Sequence, residues 1–156
     1  MIISNDKKYY KAPFTNEDEI ESVVIANFEY LFGPSSIYLS KMKIQTADGV
    51  GTIPDGFAID IENKKWYIVE AELGCHSVWT HIAPQITKQI LASIQPKAKE
   101  KILEIAVKNY NEDQEVRDKF AENGIREIDV RKILSDILKQ EPIIGIPIDV
   151  TNANIS

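Results

Sequence analysis

Ile53-Pro54-Asp55-Gly56-Phe57-Ala58-Ile59-Asp60-Ile61, a polar break at Glu62-Asn63-Lys64-Lys65, then Trp66-Tyr67-Ile68-Val69-Glu70-Ala71-Glu72-Leu73 is the stretch on which the fold turns. Two β-branched and aromatic runs around a short polar loop read as a β-hairpin. A turn centred on Asn63-Lys64 sets Asp55 opposite Glu72, and one centred on Glu62-Asn63 sets it opposite Glu70. Both turns place Asp55, Glu70 and Glu72 on one face, because strand side chains alternate with period two. Directly opposed residues hold their Cβ atoms about 4.5–5.5 Å apart, where like charges repel. Such a patch costs stability unless a cation joins it, and a divalent metal ion is the simplest candidate. Asp60 is a rival first acid, but its parity places it on the opposite face, as a surface or turn residue.

The 156 residues, 44% of them hydrophobic, suffice for one domain with a sizeable core. No apolar run approaches the roughly 18 residues of a membrane span, and the first residues lack a signal-peptide pattern. One cysteine, Cys75, excludes an internal disulfide, and together these features lead to an expected cytoplasmic setting. A net charge of −6 argues against tight non-specific nucleic-acid binding. It leaves open a specific encounter, since a bound cation changes the local balance.

Outward from the hairpin, residues 37–46 alternate, with Tyr38, Ser40, Met42, Ile44 and Thr46 sharing a face, and this predicts a third strand of a meander. Before it, Thr15 or Asn16 caps a helix whose stripe is Ile20, Val23, Val24, Phe28 and Leu31, stopped at Gly33-Pro34. Glu17 and Glu21 border that stripe. Residues 1–14 read as an extended arm. After the hairpin, His81 to Ile94 reads as a helix with Ile82, Ile86, Ile90 and Ile94 on one face, and Gln85, Gln89 and Lys88 beside it. Pro96 ends it. Residues 97–110 form a helix or a helix running into a short strand. Asn111 caps a further helix, residues 129–140 form another, and 142–150 is a proline-bearing edge strand followed by a polar tail. The class is α/β or α+β on a mixed sheet.

Hard cations such as Mg²⁺ take carboxylate and carbonyl oxygens. Asp55, Glu70 and the backbone carbonyl of Ala71 supply a half-shell, Glu21 completes the acidic cluster, and Glu72 binds metal or orients a water as general base. The competing reading is that these acids are solvated. Cys75, His76 and His81 invite a zinc reading, but a second cysteine is lacking. His76 or His81 beside the acids would contact substrate or shuttle protons, against the blander reading of loop polar groups partly buried near Trp79. Lys97, Lys99, Lys101 and Lys108 form a locally basic stretch diluted by Glu100 and Glu104.

Pro54-Asp55, fourteen intervening residues, then Glu70-Ala71-Glu72 resembles the PD-(D/E)xK signature of the restriction-endonuclease-like superfamily, with glutamate in place of the lysine, as in some type II restriction enzymes. The Glu17-to-Glu21 helix before it and Gln85-x-x-x-Gln89 after it extend the likeness over residues 16–95, with 143–150 as a last strand. The resemblance implies an αβββαβ core with extra C-terminal helices in a single domain, 1–156. It implies a metal-dependent endonuclease acting on DNA, with Asp55, Glu70, Ala71 and Glu21 holding Mg²⁺ or Mn²⁺. Gln85, and with it Gln89, would match the polar helix residues at the site. Lys88 would restore the charge lost at Glu72. Cutting both strands would call for a homodimer. The alternative is an inactive nuclease-fold module that binds DNA or protein.

Overall fold

The computed structural model describes residues 13–149, and the backbone alone of residues 2–4 and 7–9. In place of a single extended arm, β1 (Ile2–Ser4) and β2 (Lys7–Tyr9) pair as an antiparallel ribbon. Helix α1 (Glu17–Ala26) is capped by Asn16, whose side chain accepts from the Glu19 N–H at 3.0 Å, while Thr15 Oγ1 donates to the Glu19 carboxylate at 2.7 Å. The expected single helix breaks at Asn27, and α2 (Phe28–Phe32) follows. Of the expected stripe, Ile20 and Val24 are buried and Phe28 packs beside them, whereas Val23 and Leu31 are exposed; past the break Phe32 is the buried residue.

Strand β3 (Ser36–Ser40) is shorter than its alternation suggests. The chain leaves the sheet at Lys41 and forms a separate ribbon, β4 (Ile44–Gln45) with β5 (Gly51–Thr52). The irregular step between them changes parity, so Met42 and Ile44 reach the same core as Ile37 and Leu39. The hairpin is β6 (Gly56–Asp60) and β7 (Lys65–Val69). Its register pairs Gly56 with Val69, so Asp55 precedes the pairing opposite Glu70. Asp60 fixes the loop: its carboxylate accepts from the Asn63 N–H at 3.1 Å and from Asn63 Nδ2 at 2.7 Å. Lys64 takes the left-handed backbone that closes the turn, with φ 54°. Asp60 is thus a turn residue on the opposite face, but a buried one.

A π-helical turn (Val78–Ile82) leads into α3 (Ala83–Ser93). The fully buried residues of α3 are Gln89, Ala92 and Ser93; of the isoleucine row, Ile82 is buried, Ile90 packs against the core in part and Ile94 is exposed. Pro96 opens the next helix, α4 (Pro96–Glu112), which runs without a strand. Asp113, not Asn111, caps α5 (Gln114–Glu122), accepting from the Glu115 N–H at 2.9 Å. Helix α6 (Glu127–Leu138) and strand β8 (Ile143–Gly145) complete the described chain. The expected end of that strand at Val150, and the polar tail, lie outside the described residues.

The result is a mixed α/β fold on a four-stranded sheet ordered β3-β6-β7-β8, the last pair parallel. Strand β8 occupies an edge, as expected, with Pro142 and Pro147 lying just outside it on either side. Phe57, Ile59, Trp66 and Ile68 pack on α4, α5 and α6, while Ala58, Val69 and Ala71 meet α1 and α2 on the other face. Burial on both faces explains the unbroken apolar run of β6. Each fully buried large side chain such as Phe57 contributes roughly 1.5–3 kcal/mol. Trp66 Nε1 also donates to the Gln140 carbonyl at 2.9 Å, tying the end of α6 to β7.

Candidate functional site

Beyond Val69 the chain stays extended but changes partners. The N–H groups of Glu70 and Glu72 donate to the carbonyls of Gly145 and Pro147, each at 3.0 Å. The Ala71 N–H points to the other edge, and there the Asp55 carboxylate substitutes for a ladder carbonyl, Oδ2 accepting at 2.8 Å. In an extended residue N–H and C=O share an edge, so the Ala71 carbonyl lies on the Asp55 side. Sheet pairing thereby brings Asp55, Glu70 and the Ala71 backbone together.

Glu70 is only 3% exposed and faces α3. Gln85 Nε2 donates to its Oε1, and Gln89 Nε2 donates to its Oε2 at 2.6 Å. The two glutamines reach it together because residues four apart share a helix face. Burial pushes the Glu70 carboxyl up to about 7; the Gln89 bond opposes this and the Asp55 charge adds to it. Burial also raises Asp55, the Ala71 N–H pulls it back, and Glu21 raises it again. Gln89 Oε1 is buried with no hydrogen-bond partner among the described residues. Tyr38 reaches over Gly56, where any Cβ would meet its phenol, and Oη donates to the Asp55 carbonyl at 3.4 Å. Burial and the acids Asp55, Glu21 and Glu70 push that phenol up.

Glu21 joins mainly through its field, because its own carboxylate pairs with Lys41 at 2.7 Å. The Lys41 charge draws Asp55 down, so this lysine, which the sequence did not single out, is the cation acting on the acids. Lys88 makes no hydrogen bond to Asp55 or Glu70 among the described residues. It lines a neighbouring open cleft of about 740 Å³ with Lys43, Thr52 and Gln85. A second cleft of about 740 Å³, between β4 and the start of α4, is lined by Lys43, Lys97 and Lys101. Lys108 is remote from both and lies 3.9 Å from Glu112.

Glu72 shares the Glu70 face by parity but meets different chemistry. His76 Nδ1 lies 3.0 Å from Glu72 Oε2 and 2.9 Å from Glu17 Oε1. The His81 ring sits 4.7 Å from that of His76, centroid to centroid. Ligand atoms of Glu17, Glu72, His76 and His81 all fall within 4.8 Å of one another. The histidines thus stand beside acids, while Cys75 and Trp79 are exposed and outside the group. The signal for it was Glu72-x-x-x-His76 with His81 following. That Glu17 completes it depends on how α1 packs.

No protein-family model, curated protein or solved structure matches this chain. Among the described residues, no helix is long and apolar enough to cross a membrane.

Proposed function

We propose that this chain is a metal-dependent nuclease that hydrolyses DNA phosphodiester bonds at Asp55, Glu70 and Glu72, on a restriction-endonuclease-like core. The observation that carries this reading is the convergence of the Asp55 and Glu70 carboxylates, both raised by burial, around the Ala71 backbone. Negative charge gathered in a poorly solvated place favours a cation.

The donors fit Mg²⁺ or Mn²⁺. All are hard oxygens, and the Ala71 N–H occupies only Oδ2 of Asp55, leaving Oδ1 without a hydrogen bond among the described residues. Asp55, Glu70 and the Ala71 carbonyl would hold the ion, with Glu21 beside them. When bound, it supplies Lewis-acid stabilisation of charge growing on the phosphodiester and acidifies water at the site. Gln85 and Gln89 orient Glu70. Glu72, steadied by His76, accepts a proton from the attacking water as the phosphorus–oxygen bond breaks and the leaving oxygen is protonated by solvent. Lys41 brings the positive charge that Glu72 does not. Lys43, Lys88, Lys97 and Lys101 along the adjoining clefts would meet the DNA backbone, which favours DNA despite the overall acidity. Cleaving both strands would use two copies of the chain.

A second reading, a nuclease-fold binding module without turnover, is favoured by one observation. Among the described residues no lysine hydrogen-bonds to Asp55 or Glu70, while Glu72 is engaged by His76. Supercoiled plasmid and single-stranded oligonucleotide, incubated with the chain in Mg²⁺ or Mn²⁺, separate the two. Cleavage lost in Asp55→Asn and Glu70→Gln is expected. Metal-dependent DNA binding without cleavage would establish a DNA-binding module instead, and neither binding nor cleavage would overturn both the nuclease and the DNA-binding module.

A further inference from the structure

We propose a second metal site, selective for a borderline transition ion of the Zn²⁺ class and held by Glu17, Glu72, His76 and His81. It is separate from the all-oxygen centre at Asp55 and Glu70 and does not depend on that centre being catalytic.

The four residues come from different places. Glu17 opens α1, Glu72 follows β7, His76 lies in the ensuing turn, and His81 sits on the π-helical turn. Their ligand atoms nevertheless converge within 4.8 Å. Two imidazole nitrogens and two carboxylate oxygens form a donor set that suits tetrahedral Zn²⁺, at metal–ligand distances of about 2.0–2.2 Å. Such an ion needs its ligand atoms roughly 3.4 Å apart. His76 Nδ1 already stands 2.9 and 3.0 Å from the two carboxylates, so small side-chain rotations complete the shell.

Hydrogen bonding alone satisfies this group poorly. His76 Nδ1 has a single proton to offer, and two carboxylates compete for it. Glu72 Oε2 takes the bond, whereas Glu17 Oε1 is buried, outside hydrogen-bond geometry, and has no other partner among the described residues. A divalent ion would satisfy both acids at once. The π turn contributes as well. The His81 N–H bonds to the Ser77 carbonyl at 3.0 Å, and the Ile82 N–H reaches the same carbonyl, five residues back, at 3.3 Å. One inserted residue rotates what precedes it by about 100° relative to the helix that follows. That rotation helps bring His81 over the His76 ring.

The same Glu72 carboxylate cannot coordinate a metal and serve as a free base together. Filling this site would therefore slow any reaction in which Glu72 takes a proton.

The test is direct titration of the EDTA-stripped full chain with Zn²⁺ by calorimetry. Co²⁺ serves as a visible probe, because tetrahedral cobalt absorbs strongly. One equivalent of Zn²⁺ per chain is expected, with an intense cobalt band. Outer-shell changes alone typically cost about 10–100-fold in metal affinity, so His81→Ala and Glu17→Gln should weaken binding by at least about 100-fold. Far-ultraviolet circular dichroism checks that these variants fold. Asp55→Asn should leave Zn²⁺ binding intact, which separates this site from the nuclease reading. Absence of Zn²⁺ binding by the parent chain would overturn the assignment, as would unchanged affinity in His76→Ala/His81→Ala. Loss of binding in Asp55→Asn with retention in folded His81→Ala would place the ion in the other centre.

Discussion

Glu70 and Glu72 stand two residues apart on the same face of the extended segment that follows β7, and both are almost wholly buried. Their surroundings differ in kind. Glu70 receives two neutral amides from one helix, donors that hold a carboxylate in place without cancelling its charge. Glu72 receives an imidazole that can carry charge itself, shared with a second acid from another helix. Burial is therefore not enough to define a carboxylate's chemistry. The donor beside it decides whether the locality suits a hard ion among oxygens or a borderline ion among mixed ligands.

The sharpest way to break this contrast is to delete the acids of the first centre. Removing one group that stabilises transition-state charge costs on the order of 10²–10³ in rate. Asp55→Ala and Glu70→Ala should lower Mg²⁺-dependent plasmid cleavage by at least that factor. Retained cleavage in either would show that the pair is not the centre.

A smaller effect is expected one step out, at the amides. Gln89→Ala removes a bond to a buried carboxylate, and changes of this outer-shell kind lower metal affinity or activity by about 10–100-fold. The bond itself contributes about 1.5–3 kcal/mol of stability. Urea unfolding and the Mg²⁺ concentration dependence of cleavage measure the two effects. A neutral result in both would mean that the amides do not set the environment of Glu70.

The pH dependence of stability sharpens the comparison further. In the metal-free chain Glu70 titrates at about 7 when folded, against an ordinary value of 4.5. Between those values the folded chain holds a proton that the unfolded chain has released, so stability falls as pH rises across that window. Glu70→Gln should flatten this slope in denaturant titrations run with EDTA. An identical slope in the variant would assign it to other groups.

The smallest effect belongs to His76, raised above its ordinary 6.5 chiefly by its bond to Glu72. The slope has the same sign, because this pKa too is raised on folding, but its window starts higher. Its contribution is fully present below about pH 6.5 and is lost as pH rises through the folded value. Proton NMR of the imidazole should show the raised pKa in the parent chain and its return toward 6.5 in Glu72→Gln. Solvent exposure keeps the stability change slight.

How much of this could be read from the chain depends on the range of the forces involved. The hairpin, the helix cap at Asn16 and the amphipathic α6 follow from short-range rules of alternation, capping and helical period. The placing of Asp55, Glu70 and Glu72 on one face followed from strand parity once a hairpin was assumed. The register stayed open because both loop centres satisfy parity, and the Asp60–Asn63 bonds select one of them. The break at Asn27, the excursion into β4 and β5, and the full burial of Gln89 were not legible. Each depends on what packs opposite.

The sequence by itself determined which residues can carry chemistry and that alternation puts three acids on one side of a strand. Tertiary structure decided their company. It set two glutamines on Glu70, Lys41 on Glu21, and Glu17 with two histidines around Glu72. Side-chain periodicity is a property of the local backbone and so is written in neighbouring residues. Which groups face one another across elements is fixed by packing the sheet between its two helical layers, a balance that no short stretch contains.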